Sequence, residues 1–178
     1  ERMSKRSGKA IALHDLLDEV SVDAARYFFN GTKPTSPVDF DLGLAVREDS
    51  DNPVYYVQYA HARICSLIAK MQGEEGMAVP KAAQVDISAV QSPEELALLK
   101  NIARFPEEVK LAGRDLDPSQ INRYLSALAG DFHRFYNANR IKGEATQVAE
   151  ARLKLADAAR SVLENGLNLI GVAAPEKM

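Results

Sequence analysis

A chain of 178 residues gives room for one medium domain, or one domain with an appendage, and 46% apolar residues are enough for a real core. A net charge of −3 excludes nucleic-acid binding by bulk electrostatics, so any cations that contact RNA must be local. No apolar run reaches the roughly 18 residues a membrane span needs, and no charged-then-apolar signal architecture opens the chain; the chain reads as soluble. Its single cysteine, Cys65, rules out an internal disulfide and fits a reducing compartment.

In chain order, Glu1 opens what reads as the middle of something longer. Residues 2–9, Arg-Met-Ser-Lys-Arg-Ser-Gly-Lys, have no apolar period. Closely spaced cations, hydroxyls and a glycine suit phosphate binding, and the same composition suits a basic arm. Helical character follows in two pieces, 13–20 and 22–30, with the break near Ser21 or Asp23. Pro34 and Pro37 forbid helix in the turn that follows. Residues 38–42 read as extended and lead into a weak helix ending near Glu48.

The main helix is predicted from Pro53 to about Gln72, with Asn52 as its cap, Pro53 where a missing N–H costs nothing, and Gly73 and Gly76 at its end. At 100° per residue, Val57, Ile64, Ile68 and Met71 share one face. Tyr56, Tyr59, Arg63 and Lys70 share the opposite, wet one. Two phenols and two cations there suit base stacking and phosphate contact; tyrosines that half-cover a neighbouring helix beside solvated cations give the same pattern. His61 falls on the apolar side, as a satisfied core histidine does, and Cys65 at the stripe's edge reads as a buried, inert thiol.

A long, rather apolar loop to Gln91 is expected to lie on the bundle. Ser92-Pro93-Glu94-Glu95 is a strong helix start, with an interruption expected at Phe105-Pro106. Asp117-Pro118-Ser119-Gln120 repeats the start signal, and Ile121, Leu125, Leu128, Phe132 and Phe135 build one apolar face bordered by Tyr124. A last helix is predicted from Gly143-Glu144 to a stop at Gly166, with the stripe Ala145, Val148, Ala149, Leu155, Ala159 and Leu163. Arg152 falls inside that stripe and is expected to reach a carboxylate or a carbonyl. No stretch alternates with period two. The reading is an all-α bundle of about four long helices with a smaller N-terminal piece.

The chain holds no Gly-rich phosphate loop on a strand, no metal-ligand spacing of His and Cys, and no Ser-His-Asp order; no metal site is expected. The run 133–142, His-Arg-Phe-Tyr-Asn-Ala-Asn-Arg-Ile-Lys, places three cations, two aromatics and two carboxamides in ten residues at a helix end. That interleaving suits single-stranded RNA, although helix C-termini are often basic for dipole reasons alone. By phase Phe135 is core, Tyr136 is boundary, and His133 and Asn137 face outward. The residues alone give a helical module with two candidate RNA faces and no self-contained enzyme.

Five segments in order resemble the C-terminal part of the arginyl-tRNA synthetase family. Met3-Ser4-Lys5-Arg6-Ser7-Gly8 is similar to the KMSKS-type signature loop. Asp23 to Phe28 with Asp39 to Leu42, Asn52 to Arg63, Phe132 to Asn137, and Gly171 to Met178 complete the likeness. It implies an anticodon-binding helical bundle of the DALR type at 49–178, the class I synthetase anticodon-binding fold, preceded at 1–48 by a signature-loop remnant and a stem-contact or linker segment. By this resemblance Tyr56, Tyr59 and Arg63 would contact unstacked anticodon nucleotides, Tyr136 would stack a base, and Met178 would close the pocket. Lys70, His133, Asn137 and Arg140 are the further candidate RNA contacts. Met3, Ser4 and Lys5 would touch ATP, and Lys5 and Arg6 would stabilise its triphosphate. The HIGH-type motif and amino-acid pocket of that family are absent, and Arg2 stands where the loop's leading lysine is usual.

The implied function is the tRNA-binding part of arginine–tRNA ligase, silent in catalysis alone. ATP with Mg2+ would serve the full-length enzyme, with none bound here. The expected partners are arginine tRNA and a catalytic domain of the same chain, in a cytoplasmic monomer away from membranes. The alternatives are a detached bundle that docks a protein, or the anticodon domain of a related class I synthetase.

Overall fold

Three of the four long helices begin where a side chain satisfies a free N–H group of the first turn. The computed structural model describes residues 12–178, and among these there is no strand. Helix α1 is Leu13–Glu19, α2 Val22–Asn30, α3 Leu42–Ala45, α4 Pro53–Glu75, α5 Pro93–Asp115, α6 Ser119–Ala138 and α7 Thr146–Leu169. Asn52 Oδ1 accepts from the Val54 N–H at 3.2 Å, while its amide donates to the Arg47 carbonyl at 2.7 Å, so one buried carboxamide starts α4 and fixes the chain before it. Ser92 and Glu95 form a capping box at the head of α5. Asp117 Oδ1 accepts from the Ser119 N–H at 3.1 Å at the head of α6.

Helices α4 to α7 are the bundle. Three residues join α5 to α6, which therefore fold back antiparallel; Tyr124 Oη donates to the Asn101 carbonyl at 2.9 Å across that pair. Contacts between α4 and α6 advance in the same direction: Tyr56 meets His133, Arg63 meets Tyr136, and Glu74 meets Lys142 just beyond α6. Val57, Ile64, Leu98, Leu125, Leu128, Phe132, Phe135, Leu153, Leu163 and Leu167 lie fully buried at the centre. Segment α2 shares this core through Ala24, Ala25 and Tyr27. Tyr27 Oη bonds with Ser126 at 3.0 Å, and burial pushes its phenol up to about 12. Helix α1 has no fully buried residue and meets the core only through half-buried Leu16.

Several boundaries differ from those predicted. Gly73 lies inside α4, and only Gly76, at φ 64°, ends it, because that left-handed position is where a Cβ is costly. Helix α5 runs unbroken through Pro106. Pro106 itself is exposed, so its ring sits on the solvent side of the helix. The weak helix expected to Glu48 is only α3. Helix α7 begins at Thr146 with Ala145 exposed at its cap, and it passes through Gly166. Gly166 is there for packing: a Cβ on it would sit 2.5 Å from Leu125 Cδ2, so glycine lets α7 approach α6. Ala151, Leu153 and Ala156 are buried beside the predicted stripe, making the buried arc of α7 wider than one face.

Two expectations of local chemistry hold. The apolar loop lies on the bundle, with Met77, Val79 and Val85 packed on the core and two short 3-10 turns, Ala82–Gln84 and Ile87–Ala89. Arg152 Nε donates to Glu95 Oε1 at 2.6 Å and its Nη1 to the Arg140 carbonyl at 2.5 Å. Burial works to raise the Glu95 carboxyl, but the Arg152 guanidinium and the N–H groups of Ser92 and Gln91 outweigh it and hold the group below its ordinary range.

Residues 170–175 turn out of α7 at Ile170 and Gly171 and then lie against α2 and α4, secured by side chains. Asn30 Nδ2 donates to the Ile170 carbonyl (3.0 Å), Arg26 Nη1 to that of Gly171 (2.7 Å) and Gln58 Nε2 to that of Ala173 (3.0 Å). Asp23 Oδ1 accepts from the Ala173 N–H at 3.2 Å. His61, 2% exposed, bonds through Nδ1 to the Pro175 carbonyl at 2.9 Å and is the satisfied core histidine expected.

Candidate nucleic-acid interface

One turn of α4 separates Tyr55 from Tyr59 and another separates Tyr59 from Arg63, so the three side chains rise along one edge of the helix. The Tyr55 and Tyr59 rings are near parallel, 7° apart in plane with centroids at 6.1 Å. The Arg63 guanidinium lies 5.9 Å from the Tyr59 centroid and 4.4 Å from that of Tyr136 on α6. Phe132 packs on Tyr136 from within, at 5.8 Å. A column of Tyr55, Tyr59, Arg63, Tyr136 and Phe132 thus links α4 to α6, with a cation in an aromatic run.

Beside the column opens a recess of about 380 Å³ lined by Ser50, Tyr55, Tyr56, Tyr59, Arg63, His133 and Asn137, at the small end of pockets that take a compact ligand. No carboxylate lines it, although the chain is acidic overall. Arg63 makes no ion pair and no hydrogen bond among the described residues, so its donors are free for an anion. A larger, shallower hollow of about 660 Å³ lies between α5 and α7, walled by Phe105, Pro106, Val109, Asn165, Asn168 and Leu169. It has no charged group, and only the Asn165 and Asn168 carboxamides could donate to a phosphate.

His133 does not face outward as its phase predicted. Its ring is wedged against Tyr56 at 5.0 Å and Phe132 at 5.6 Å, and its Nε2 is buried without a partner. Burial, and then the Arg63 charge, push its pKa down to about 4, so the imidazole is neutral at physiological pH. The positive charge of the recess is therefore Arg63 alone.

The fold thus brings Tyr56, Tyr59, Arg63, His133, Tyr136 and Asn137 together. Lys70 lies two turns beyond Arg63, exposed, and outside the recess wall. Arg140 is exposed past the end of α6 with its carbonyl held by Arg152, and Met178 is 54% exposed; neither lines the recess. Met3, Ser4, Lys5 and Arg6 fall outside the described residues. Two lining residues escaped the sequence reading. Tyr55 was legible, being four residues before Tyr59; Ser50 precedes the helix cap, where periodicity says nothing. Cys65 is half-buried and burial raises its thiol pKa, as suits an inert group. No group of three or more metal-ligating side chains, and no helix long and apolar enough to cross a membrane, occurs among the described residues.

Residues 57–178 match the DALR anticodon binding domain family. An arginine–tRNA ligase of Acetivibrio thermocellus is 48% identical over 99% of this chain, which covers 31% of that protein; one from Desulfitobacterium hafniense is 49% identical, with 32% of it covered. The chain thus spans about a third of the length of the curated relatives it matches. Among solved structures, an arginyl-tRNA synthetase of Campylobacter jejuni superposes with a TM-score of 0.85 at 31% identity, over 100% of this chain and 37% of that one. The Thermus thermophilus arginyl-tRNA synthetase gives 0.74 at 29% identity, over 98% and 29%.

Proposed function

Because the chain belongs to the DALR anticodon-binding domain family, we propose that it is the tRNA anticodon-binding part of an arginine–tRNA ligase. The observation that carries this reading is the carboxylate-free recess of tyrosines around an unpaired Arg63. Unpaired anticodon bases stack on Tyr56, Tyr59 and Tyr136, and the Asn137 carboxamide and neutral His133 offer hydrogen bonds to base edges. Arg63 meets the backbone within the recess, and Lys70 and Arg140 meet it farther out. Met178 approaches the loop from the end of the secured tail. Residues 49–178 form this module, and 1–48 serve as signature-loop remnant and link to the tRNA stem.

The ligase reaction, joining arginine to its tRNA with ATP and Mg2+, belongs to the longer protein. Met3, Ser4, Lys5 and Arg6 contribute to it only beside a catalytic domain. The chain alone is inactive in pyrophosphate exchange, monomeric, and works in the cytoplasm.

A salt titration of binding to an arginine-tRNA anticodon stem-loop, beside one with its middle anticodon base changed, tests the reading. Affinity that falls with salt and is weaker for the altered loop supports it. Absence of binding to both at micromolar protein overturns it.

A further inference from the structure

Tyr136 is half-buried, with Phe132 tilted against it from within the bundle at 5.8 Å. The Arg63 guanidinium lies over its ring from outside, at 4.4 Å from the centroid. Arg63 is also the one member of the column carried on a long flexible stem, and it is flat, as a nucleobase is. Among the described residues it meets no anion, so only the two tyrosine rings hold it.

We infer that Arg63 occupies, in the free protein, the stacking place on Tyr136 that an unpaired nucleobase takes in the complex, and that the arriving base displaces the guanidinium onto the neighbouring phosphate. This rests on the anticodon-binding reading of the recess. The exchange runs forward because a base stacked on an aromatic ring is held more strongly than an exposed cation over the same ring. The displaced guanidinium also gains a phosphate, for which its planar fork is suited. Until then, the cation keeps the ring covered and the slot open at the width of one flat group.

The test uses the 178-residue chain, the arginine-tRNA anticodon stem-loop, and the Arg63→Ala and Arg63→Lys variants. In the free protein the Arg63 Nε–H proton is expected to be shielded by the ring current of Tyr136, given the 4.4 Å between guanidinium and ring centroid. On saturation with the stem-loop it is expected to move downfield while the Tyr136 ring protons move upfield. Arg63→Ala should lower the slope of log affinity against log salt by about 0.7, the value of one single-strand phosphate, so that its affinity converges on the wild type as salt rises. Arg63→Lys should keep the slope. A guanidinium that merely props Tyr136 would instead cost affinity equally at every salt concentration. If the stem-loop binds and the Arg63 Nε–H keeps its shielding, or the Arg63→Ala slope is unchanged, the exchange is wrong and the anticodon reading stands. If the stem-loop does not bind the wild type, both fall together.

Discussion

Arg152 on α7 meets Glu95 at 2.6 Å with 16% of its side chain exposed, whereas Arg63 on α4 faces two tyrosine rings and no anion among the described residues. Both guanidiniums sit within long helices among apolar neighbours. In the first case a carboxylate, a carbonyl and burial hold the charge to one place, so it can only hold the fold together. In the second the rings hold the cation without neutralising it, so a ligand can still claim it. A cation's partner, more than its position on a helical wheel, separates structure from recognition.

The strongest way to break this contrast is to remove each guanidinium in turn. Arg152→Ala takes the counter-charge from a carboxylate that is 1% exposed and leaves it the Ser92 and Gln91 N–H groups, and about 3 kcal/mol of unfolding free energy should be lost in urea titration. Arg63→Ala should cost no more than about 1 kcal/mol in the same titration. Equal losses would abolish the distinction. Acid sharpens it: the Glu95 carboxyl titrates lower folded than at its ordinary 4.5. Its contribution is therefore whole above that value and lost as pH falls through the folded one, so Glu95→Gln should flatten the acid limb of stability against pH.

Next in size, Tyr59→Ala and Tyr136→Ala should each weaken stem-loop binding by about 1–3 kcal/mol, measured by fluorescence anisotropy, with stability little changed for the exposed Tyr59. Smaller again is the effect of His133. Its pKa lies near 4 folded against 6.5 unfolded, so the unfolded chain binds more protons between these values and stability falls as pH drops through them. His133→Gln should remove about 1–2 kcal/mol of that loss, a figure reduced for the partial exposure of the ring. The smallest effects belong to Lys70→Ala and Arg140→Ala. Each lies outside the recess and should lower the salt slope by about 0.7 with no change in preference between anticodon loops.

What the sequence revealed follows from the range of each signal. Caps are local, so Asn52, Ser92 and Asp117 announced α4, α5 and α6. The α4 faces were legible because 3.6-residue periodicity separates Val57 and Ile64 from Tyr59 and Arg63. Glycine and proline misled where their role was set at a distance: Gly166 answers to Leu125 on another helix, and Pro106 is tolerated because its face is wet. His133 was misplaced because its burial is created by Tyr56, far away in the chain. Periodicity put Tyr59 and Arg63 on the wet face without placing Tyr136 against them, and only packing of α4 beside α6 builds the column.

The side chains that secure residues 170–175 join positions as far apart as Asp23 and Ala173. Such a ring of chain is among the slowest things to close in folding, and until it closes Asp23, Arg26 and Asn30 of α2 lack their partners in the tail. A ribosome therefore finishes α2 long before that helix can settle, and a protease that nicks the chain before Gly171 should loosen a helix near its opposite end.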